Sequence, residues 1–252
     1  MDIEGKRAMV VGGASGMARA TAEQLREHGA EVAILDLPTS DGAEVAAGMG
    51  ATFHPCDVLD AEMVDAAFAS AREALGSLHI AVNTAGSGVA RRTIGKEAPH
   101  PMDEFRWVVE ISLISTFNLN RLQAWWMREN EPDDGERGVI INTASIAAYE
   151  GQIGQVAYAA AKAGVAGMAL PMARDLGGLG IRNVAIAPSL FDTGATQGIP
   201  EEMKTDLTKD NAFPKRMGRP KEYADLALAI VNNPMLNGTT IRLDAGVRFA
   251  PK

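Results

Sequence analysis

Residues 7–18, RAMVVGGASGMA, set an apolar run directly before a glycine-rich turn and the start of an amphipathic segment. The run Arg7–Val11 predicts a buried strand, and residues 16–28 beyond the turn predict a helix. A glycine-rich turn between a strand and a helix lets an anionic group approach the free amides at the helix N-terminus. Gly12 would allow the tight turn and Gly16 the close approach, although a plain strand–helix turn explains the same glycines equally well.

The alternation of short apolar runs with longer amphipathic segments continues along the chain. Further strands are predicted at residues 31–35, 51–54, 78–82, 138–143, 181–187 and 239–243. Further helices are predicted at residues 61–75, 102–128, 154–176 and 222–231, the second of them with a break. Continuously apolar strands separated by helices indicate a parallel sheet with helices on both faces. The prediction is a single doubly wound, Rossmann-type α/β domain over residues 1–252, with a seven-stranded parallel sheet.

Composition disfavours several other classes of protein. The formal net charge of −8 argues against binding to nucleic acid or to an anionic membrane surface. Cys56 is the only cysteine, so neither an internal disulfide nor a cysteine metal cluster is expected, and the four histidines lack metal-ligand spacing. No signal peptide is recognised and no apolar stretch approaches ~20 residues, so we expect no membrane span and a cytoplasmic location. The expected partner is a small-molecule substrate, with no bound metal.

Polar side chains follow the predicted second, third and fourth strands, at the edge where parallel sheets bind ligands. Asp36 ends the second strand, where a carboxylate can accept hydrogen bonds from both ribose hydroxyls of adenosine and repels a 2′-phosphate. This favours NAD over NADP, although Asp36 could instead be a turn residue before Pro38. Asp57 could bind the adenine amino group and Val58 the face of its ring, and residues 83–86 (NTAG) follow the fourth strand.

Tyr158 and Lys162 lie four residues apart on a predicted helix, which puts both side chains on one face. A free phenol with a pKa of ~10 is a poor base at neutral pH, but a neighbouring ammonium and an oxidised nicotinamide would lower that pKa. Tyr158 could then take a hydroxyl proton as hydride leaves, with Lys162 also binding the nicotinamide ribose. Ser145, at the end of the fifth strand, could hydrogen-bond the reacting oxygen. The alternatives are a surface pair on an alanine-rich helix and a helix-capping serine.

The order of these motifs resembles the short-chain dehydrogenase/reductase family over essentially the whole chain. The resemblance is carried by residues 12–18, residues 83–86, Ser145, Tyr158-x-x-x-Lys162 and residues 188–193. Within the family, the sequence looks closest to the short-chain (type II) 3-hydroxyacyl-CoA dehydrogenase branch, which also oxidises hydroxysteroids. The likeness to this branch is densest at residues 137–148, 149–158, 170–176, 187–193, 213–218 and 237–245.

The resemblance implies NAD as cofactor, a homotetramer, and a mobile segment over the substrate at about residues 193–209. Phe191 and Thr193 would contact the nicotinamide amide. The implied catalytic residues are Ser145, Tyr158 and Lys162, with Ser112 at a fourth position. The implied cofactor-binding residues are Gly12, Ser15, Gly16, Met17, Asp36, Asp57, Val58, Asn83, Ala85, Gly86, Tyr158, Lys162, Pro188, Phe191 and Thr193.

Ser112 departs from the family pattern close to the predicted chemistry. It stands where the family has an asparagine that helps hold a water, through which the proton passes onward from the lysine. A serine side chain is shorter and carries a single hydroxyl. The proton relay and the turnover rate therefore depend on whether Ser112 can hold that water.

Two further groups of residues have both a functional and a structural interpretation. Arg91, Arg92 and Lys96, in a long segment after the fourth strand, could meet the phosphates of a CoA thioester or could form a solvated loop. Met203 and Leu207, in the segment over the substrate, could touch an apolar ligand or take part in ordinary helix packing.

Trp125 and Trp126, with Leu119 and Leu122, make an apolar patch on one predicted helix. Core packing explains such a patch, and so does a subunit interface. We favour the interface, because the family pairs these helices between subunits.

The leading prediction is an NAD-dependent oxidoreductase that transfers a hydride between nicotinamide and a secondary alcohol or ketone. The resemblance favours a 3-hydroxyacyl-CoA or a related hydroxysteroid as substrate, which would set the chain in lipid metabolism. One alternative is a ketone reductase that acts on an unrelated small substrate. Another is a non-catalytic dinucleotide-binding protein, for which Ser112 is the only hint.

Overall fold

Parallel strands form one sheet, and the residues that separate them form helices on its two faces. The computed structural model describes residues 1–194 and 200–249. The strands are β1 (Arg7–Val11), β2 (Glu31–Asp36), β3 (Thr52–Pro55), β4 (Ile80–Asn83), β5 (Gly138–Thr143), β6 (Ile181–Pro188) and β7 (Thr240–Leu243). The helices are α1 (Gly16–Glu27), α2 (Gly42–Met49), α3 (Ala61–Leu75), α4 (Met102–Val109), α5 (Ser115–Met127), α6 (Ala147–Glu150), α7 (Val156–Gly177), α8 (Glu201–Thr208) and α9 (Pro220–Asn232). A π-helical segment, Glu110–Ile114, joins α4 to α5.

The strand order is β3-β2-β1-β4-β5-β6-β7, and each neighbouring pair is parallel. From β1, successive strands are added on one side as far as β3, and from β4 onward they are added on the other side. This change of side leaves a crevice at the carboxyl ends of β1 and β4. Val11 is in register with Leu35 on one side and with Asn83 on the other. The glycine loop, Asp36 and the residues after β4 therefore emerge at the same edge, and the predicted doubly wound α/β fold is confirmed.

The predicted strands are all present, with ends within two residues of the observed ones. Three helices, α2, α6 and α8, have no counterpart in the prediction. α6 is a single turn and α2 has eight residues, too few to display a helical period. α8, with the sequence EEMKTDLT, is mostly polar and lacks a continuous apolar stripe. The break expected in residues 102–128 is the π-helical segment.

Alternate residues of the central strands point to opposite faces and build two apolar layers. One layer joins Val10, Ile34, Val82, Ile141 and Ile186 to α1 and α9. The other joins Met9, Leu35, Ala81 and Ile140 to α3 and α5. The strands are buried on both faces, which explains why they are continuously apolar in sequence.

The tryptophan pair on α5 is divided between core and surface. Trp126 and Leu119 are buried in the apolar layer that the sheet shares with α3 and α5, and Leu122 packs against the same layer. The prediction of one apolar interface patch is therefore wrong for these three residues, because α5 turns them toward the core. Trp125, the residue before Trp126, is 58% exposed.

α7 is long and apolar enough, by length and composition alone, to cross a membrane. One such helix is weak evidence of a membrane span, and the expected absence of a span stays a prediction. α7 packs against β6 and α6, and it buries Ala161, Lys162, Val165 and Ala169. Helices of a protein core pass the same test of composition, so this packing accounts for its apolar character.

Candidate active site

The glycine loop after β1 has the backbone shape that a dinucleotide requires. Gly12 and Gly16 have φ angles of +82° and +55°, which residues with a side chain rarely adopt. A Cβ atom at Gly12 would lie 2.6 Å from Thr84 Oγ1, and one at Gly16 would lie 3.1 Å from Thr193 Cγ2. Both glycines keep the loop open and close to the segments after β4 and β6. The loop thus fits the predicted pyrophosphate contact.

Gly13 is a third glycine that the loop needs, and the sequence analysis assigned it no role. A Cβ atom there would lie 2.8 Å from Ile34 Cγ2, so Gly13 lets the loop pack on β2. Ser15 is exposed at the start of α1, and its hydroxyl makes no capping hydrogen bond. The first turn of α1 has no acidic residue, which suits an anion at this helix terminus. Met17 is half-buried against the apolar layer.

Asp36 ties the end of β2 to the glycine loop. Its Oδ2 accepts a hydrogen bond from the Ala14 amide at 2.9 Å, and its Oδ1 accepts one from the Leu37 amide at 2.7 Å. The Leu37 bond belongs to a turn, so the turn interpretation of Asp36 describes part of its role. Each carboxylate oxygen retains accepting capacity for ribose hydroxyls. The residues present therefore fit the adenosine end of NAD.

Asp57 and Val58 follow β3 at the same edge. Asp57 Oδ1 accepts a hydrogen bond from the Leu59 amide at 2.9 Å. Val58 packs against the apolar layer that the sheet shares with α3 and α5. The Cys56 amide donates to Asp36 O at 2.7 Å and so joins the ends of β3 and β2. Burial and the neighbouring Asp57 raise the pKa of the Cys56 thiol to about 11, which keeps it protonated.

The side chain of Asn83 points into the protein interior. Its Nδ2 lies 2.9 Å from Asn120 Oδ1, 2.9 Å from Gln123 Oε1 and 3.0 Å from Asn142 Oδ1. Gln123 Nε2 in turn donates to Asn83 Oδ1 at 2.8 Å. The Asn83 side chain is therefore engaged inside the protein, and the cofactor contact expected of Asn83 stays a prediction. Ala85 continues the chain from β4 toward the crevice.

Ser145, Tyr158 and Lys162 converge just beyond β5. The Ser145 hydroxyl accepts from the Ala147 amide at 3.1 Å at the start of α6, and it is near enough to the Tyr158 phenol to lower the phenol pKa, against the effect of burial. Lys162 Nζ lies 5.8 Å from the centre of the Tyr158 ring. Both α7 side chains are largely enclosed, which contradicts the alternative of an exposed pair on a surface helix. The structure thus brings the three side chains together, and their roles in catalysis stay predictions.

Burial dominates the proton affinities of this pair. Lys162 is 3% exposed, and burial lowers the pKa of its ammonium to about 8. Burial also raises the pKa of Tyr158, and the Ser145 hydrogen bond opposes this only in part. The expected lowering of the Tyr158 pKa is therefore absent from the protein by itself, because the enclosed phenolate loses more hydration than its neighbours restore.

Ser112, in the π-helical segment, holds the loop after β4. Its Oγ donates to Ser87 O at 2.8 Å and accepts from the Ser87 amide at 3.1 Å. A Cβ atom at Gly86 would lie 3.0 Å from Lys162 Nζ and 3.2 Å from Ser112 Oγ, so these two polar atoms flank Gly86. Ser112 is thus beside the lysine, while its hydroxyl already serves Ser87. Its part in a proton relay stays a prediction.

Gly88 packs against the ring of Tyr158, a contact that the sequence did not predict. A Cβ atom at Gly88 would lie 2.7 Å from Tyr158 Cδ2 and 3.0 Å from Tyr158 Cγ. The contact joins a loop to a helix seventy residues later, so no local sequence signal marks it. A side chain at residue 88 and the present position of the tyrosine ring exclude each other.

Pro188, Phe191 and Thr193 extend the site beyond β6. Pro188 ends the strand, and Phe191 is buried with its ring against Gly218. The predicted segment over the substrate, residues 193–209, includes residues 195–199, which lie outside the described residues. Of that segment, Met203 and Leu207 are exposed on α8, so neither takes part in the core.

Several known proteins resemble this chain over its whole length. A family model described as enoyl-(acyl carrier protein) reductase matches residues 12–248. A 3-hydroxyacyl-CoA dehydrogenase type-2 from Drosophila melanogaster is 49% identical over 248 residues, covering 96% of this chain and 97% of that protein. The crystal structure of 3-hydroxyacyl-CoA dehydrogenase type-2 from Mycobacterium avium matches with a TM-score of 0.94 and 42% identity over 98% of each chain. A 7α-hydroxysteroid dehydrogenase in complex with NADH and 7-oxo glycochenodeoxycholic acid matches with a TM-score of 0.87 and 27% identity. The match covers 99% of this chain and 97% of that one.

Proposed function

The chain belongs to the short-chain dehydrogenase/reductase family of oxidoreductases, and from this membership we propose that it oxidises 3-hydroxyacyl-CoA esters, or related hydroxysteroids, with NAD. The observation that carries the proposal is that Ser145, Tyr158 and Lys162 lie together beyond β5, at the same edge of the sheet as the glycine loop. The substrate class is supported by the names of the relatives with the highest identities given above.

NAD is the proposed cofactor because Asp36 presents a carboxylate at the end of β2. That charge suits ribose hydroxyls and opposes the 2′-phosphate of NADP. Within the described residues near the loop, Gly12 and Gly16 would admit the pyrophosphate, and Phe191 would border the nicotinamide end. The neighbour solved with NADH has the same fold, which agrees with this choice.

The Asp36→Asn substitution is expected to reduce the preference for NADH over NADPH by on the order of 100-fold, because it removes the charge that repels the 2′-phosphate and binds ribose. The size of the side chain stays the same. Fluorescence titrations with NADH and NADPH give the two Kd values. Asp41→Asn, at an exposed carboxylate that makes no capping bond, is the matched control. An unchanged ratio of the two Kd values in Asp36→Asn would contradict the role of this carboxylate.

The chemistry requires one proton to move at Tyr158 Oη. NAD, when bound, supplies a nicotinamide ring that accepts hydride and carries positive charge in its oxidised form. During oxidation the substrate hydroxyl gives its proton to Tyr158 Oη, while the Ser145 hydroxyl hydrogen-bonds the same substrate oxygen. The Lys162 ammonium favours the phenolate and opposes the burial that raises the Tyr158 pKa. In reduction, Tyr158 returns the proton to the carbonyl oxygen.

A panel of substrates tests the proposal. NADH formation is measured with 3-hydroxyacyl-CoAs of several chain lengths, hydroxysteroids and simple secondary alcohols. The highest kcat/KM is expected for a 3-hydroxyacyl-CoA. Preference for a simple alcohol would indicate an oxidoreductase with an unrelated substrate. A chain that binds NADH and turns over nothing in either direction would indicate a non-catalytic protein.

Cations on the loop after β4 are candidates for binding the phosphates of CoA. Arg91 is already engaged, since its guanidinium makes two hydrogen bonds to the Glu104 carboxylate, at 2.9 and 2.6 Å. These bonds also hold the pKa of Glu104 below its ordinary value. Arg92 and Lys96 are exposed on the same loop. Of the three cations that could bind the phosphates of CoA, Arg92 and Lys96 therefore remain as candidates.

The double variant Arg92→Glu, Lys96→Glu is expected to raise the KM for a 3-hydroxyacyl-CoA on the order of tenfold, because two attractions to phosphate become repulsions. The KM for the same acyl group as an N-acetylcysteamine thioester, which has no phosphate, should not change. Initial-rate kinetics with both esters check the expectation. Equal effects on both esters would contradict a phosphate contact.

The assembly and the location of the chain are also proposals. Ile114, Phe117 and Trp125 expose apolar area on α5 and the segment before it, as a surface that meets another copy would. Together with family membership, this supports a homotetramer. Cytoplasmic location, and the absence of nucleic-acid and membrane partners, stay predictions.

A further inference from the structure

Thr143, the last residue of β5, connects the catalytic lysine to the far side of the sheet. Lys162 Nζ, reaching from α7, donates to Thr143 O at 2.7 Å. The Thr143 hydroxyl lies 2.8 Å from Asn83 O and 2.7 Å from Tyr223 Oη. Tyr223 belongs to α9 and is fully buried in the layer that α9 shares with α1. α7 packs on the other face, against Ala185 and neighbouring residues.

The number of protons determines the direction of these hydrogen bonds. Asn83 O can only accept, so Thr143 Oγ1 gives its single proton to that carbonyl. The Tyr223 hydroxyl must therefore donate to Thr143 Oγ1. Burial raises the pKa of the Tyr223 phenol far above its ordinary value, so it remains a donor throughout the working pH range.

The end of β5 is tied to β6 by backbone hydrogen bonds, since the Ala144 amide donates to Ile186 O at 2.8 Å, and the Tyr223 hydroxyl adds a side-chain restraint at Thr143. Thr143 makes the last pair with β6, opposite Ile186, and Ser145 follows two residues later. A shift of the Thr143 peptide would move both the acceptor of Lys162 and the start of the segment that carries Ser145. Tyr223 restrains this point from the layer opposite α7.

We propose that Tyr223 is a positioning residue: its hydroxyl, through Thr143, holds the carbonyl that fixes the ammonium of Lys162 against Tyr158. The proposal rests on the proposed dehydrogenase function. If Tyr223 only filled the core, its replacement by phenylalanine would leave kcat unchanged, because the ring occupies the same volume. The hydroxyl is therefore the group to remove.

Tyr223→Phe is expected to lower kcat on the order of tenfold, the equivalent of one hydrogen bond, with KM and the Kd for NADH within about twofold of the wild type. A second measurement does not need turnover. In protein labelled with ε-13C-lysine, the Lys162 signal is assigned with Lys162→Met and titrated. The ammonium should lose its proton at a lower pH in Tyr223→Phe, because its acceptor is less well fixed.

The titration reports on this contact because Lys162 has few charged neighbours. Tyr158 is the ionisable side chain that faces it from α7, and Ser112 and Thr143 offer neutral groups. In residues 1–194 and 200–249 no carboxylate forms an ion pair with Lys162, whose pKa is shifted by burial. A change in its titration therefore reflects a change at Thr143 or Tyr158.

A double-mutant cycle with Thr143→Val tests the route. Thr143→Val removes the shared hydroxyl, so Tyr223→Phe added to it should change kcat by less than about twofold. Independent, multiplying effects on kcat would overturn the proposal. Tyr149→Phe, which removes an exposed phenol hydroxyl, should leave kcat and the Lys162 titration unchanged.

The outcomes separate this proposal from the function on which it rests. A Tyr223→Phe protein with a lower Tm but wild-type kcat and wild-type Lys162 titration overturns the positioning role. If the wild-type chain oxidises none of the panel substrates, the proposed function fails, and the titration alone then decides whether Tyr223 positions Lys162.

Discussion

Tyr158→Phe should lower kcat by at least about 1,000-fold, because it removes the only group placed to exchange the substrate proton in the mechanism above. The substitution deletes one oxygen from a largely buried ring, so the fold and the glycine loop are unaffected. The Kd for NADH should stay within about fivefold, since at most one neutral hydrogen bond to the ribose is lost. Steady-state NADH formation and a fluorescence titration measure the two quantities.

Tyr149→Phe is the matched control for this experiment. Tyr149 lies on α6, is half exposed, and loses the same hydroxyl without loss of a contact to Ser145. Its kcat should equal that of the wild type. If Tyr158→Phe retained a tenth or more of wild-type kcat, another group would have to carry the proton, and the mechanism would be wrong.

Gly88→Ala is expected to lower kcat by on the order of 100-fold, because displacement of a reacting group by about 1 Å has a cost of this size. The added methyl would stand 2.7 Å from Tyr158 Cδ2, so the ring must move or the loop must withdraw. Gly88 is not among the glycines with a positive φ angle, so alanine adds no backbone strain there. The defect should therefore appear in kcat with little change in Tm.

Gly48→Ala provides the control for the added methyl group. A Cβ atom at Gly48 meets nothing within 4 Å, and the residue lies inside α2, where alanine is the better helix former. Activity should be unchanged and Tm slightly higher. Wild-type kcat in Gly88→Ala would mean that the loop after β4 yields readily, and that the tyrosine ring is not held by it.

The elements and the three proposed catalytic side chains were predictable because their signals are local. The strands of a doubly wound sheet are apolar on both faces, so each one is visible as a short run between amphipathic helices. Tyr158 and Lys162 share one helix face by spacing alone. The polar helix α8 was not predicted, because it has no continuous apolar stripe that would serve as a local signal.

Other features depend on which elements pack against each other. Trp125 and Trp126 are adjacent in sequence, yet only the orientation of α5 decides which one enters the core. Asn83 follows the family pattern at a ligand-binding edge, but α5 supplies Asn120 and Gln123, and these draw its side chain inward. The direction in which the Tyr158 pKa shifts likewise depends on burial, which the spacing of residues in the sequence does not reveal.

The amino-acid sequence by itself determined the α/β class, the glycine loop, the acidic end of β2 and the tyrosine–lysine pair. Each of these is encoded within a few residues, where periodicity and turn chemistry act directly. Only the tertiary structure brought Gly88 against the Tyr158 ring and Tyr223 against Thr143. Such contacts join segments far apart in the chain, and their energies come from packing and shared hydrogen bonds that exist only after the layers have assembled.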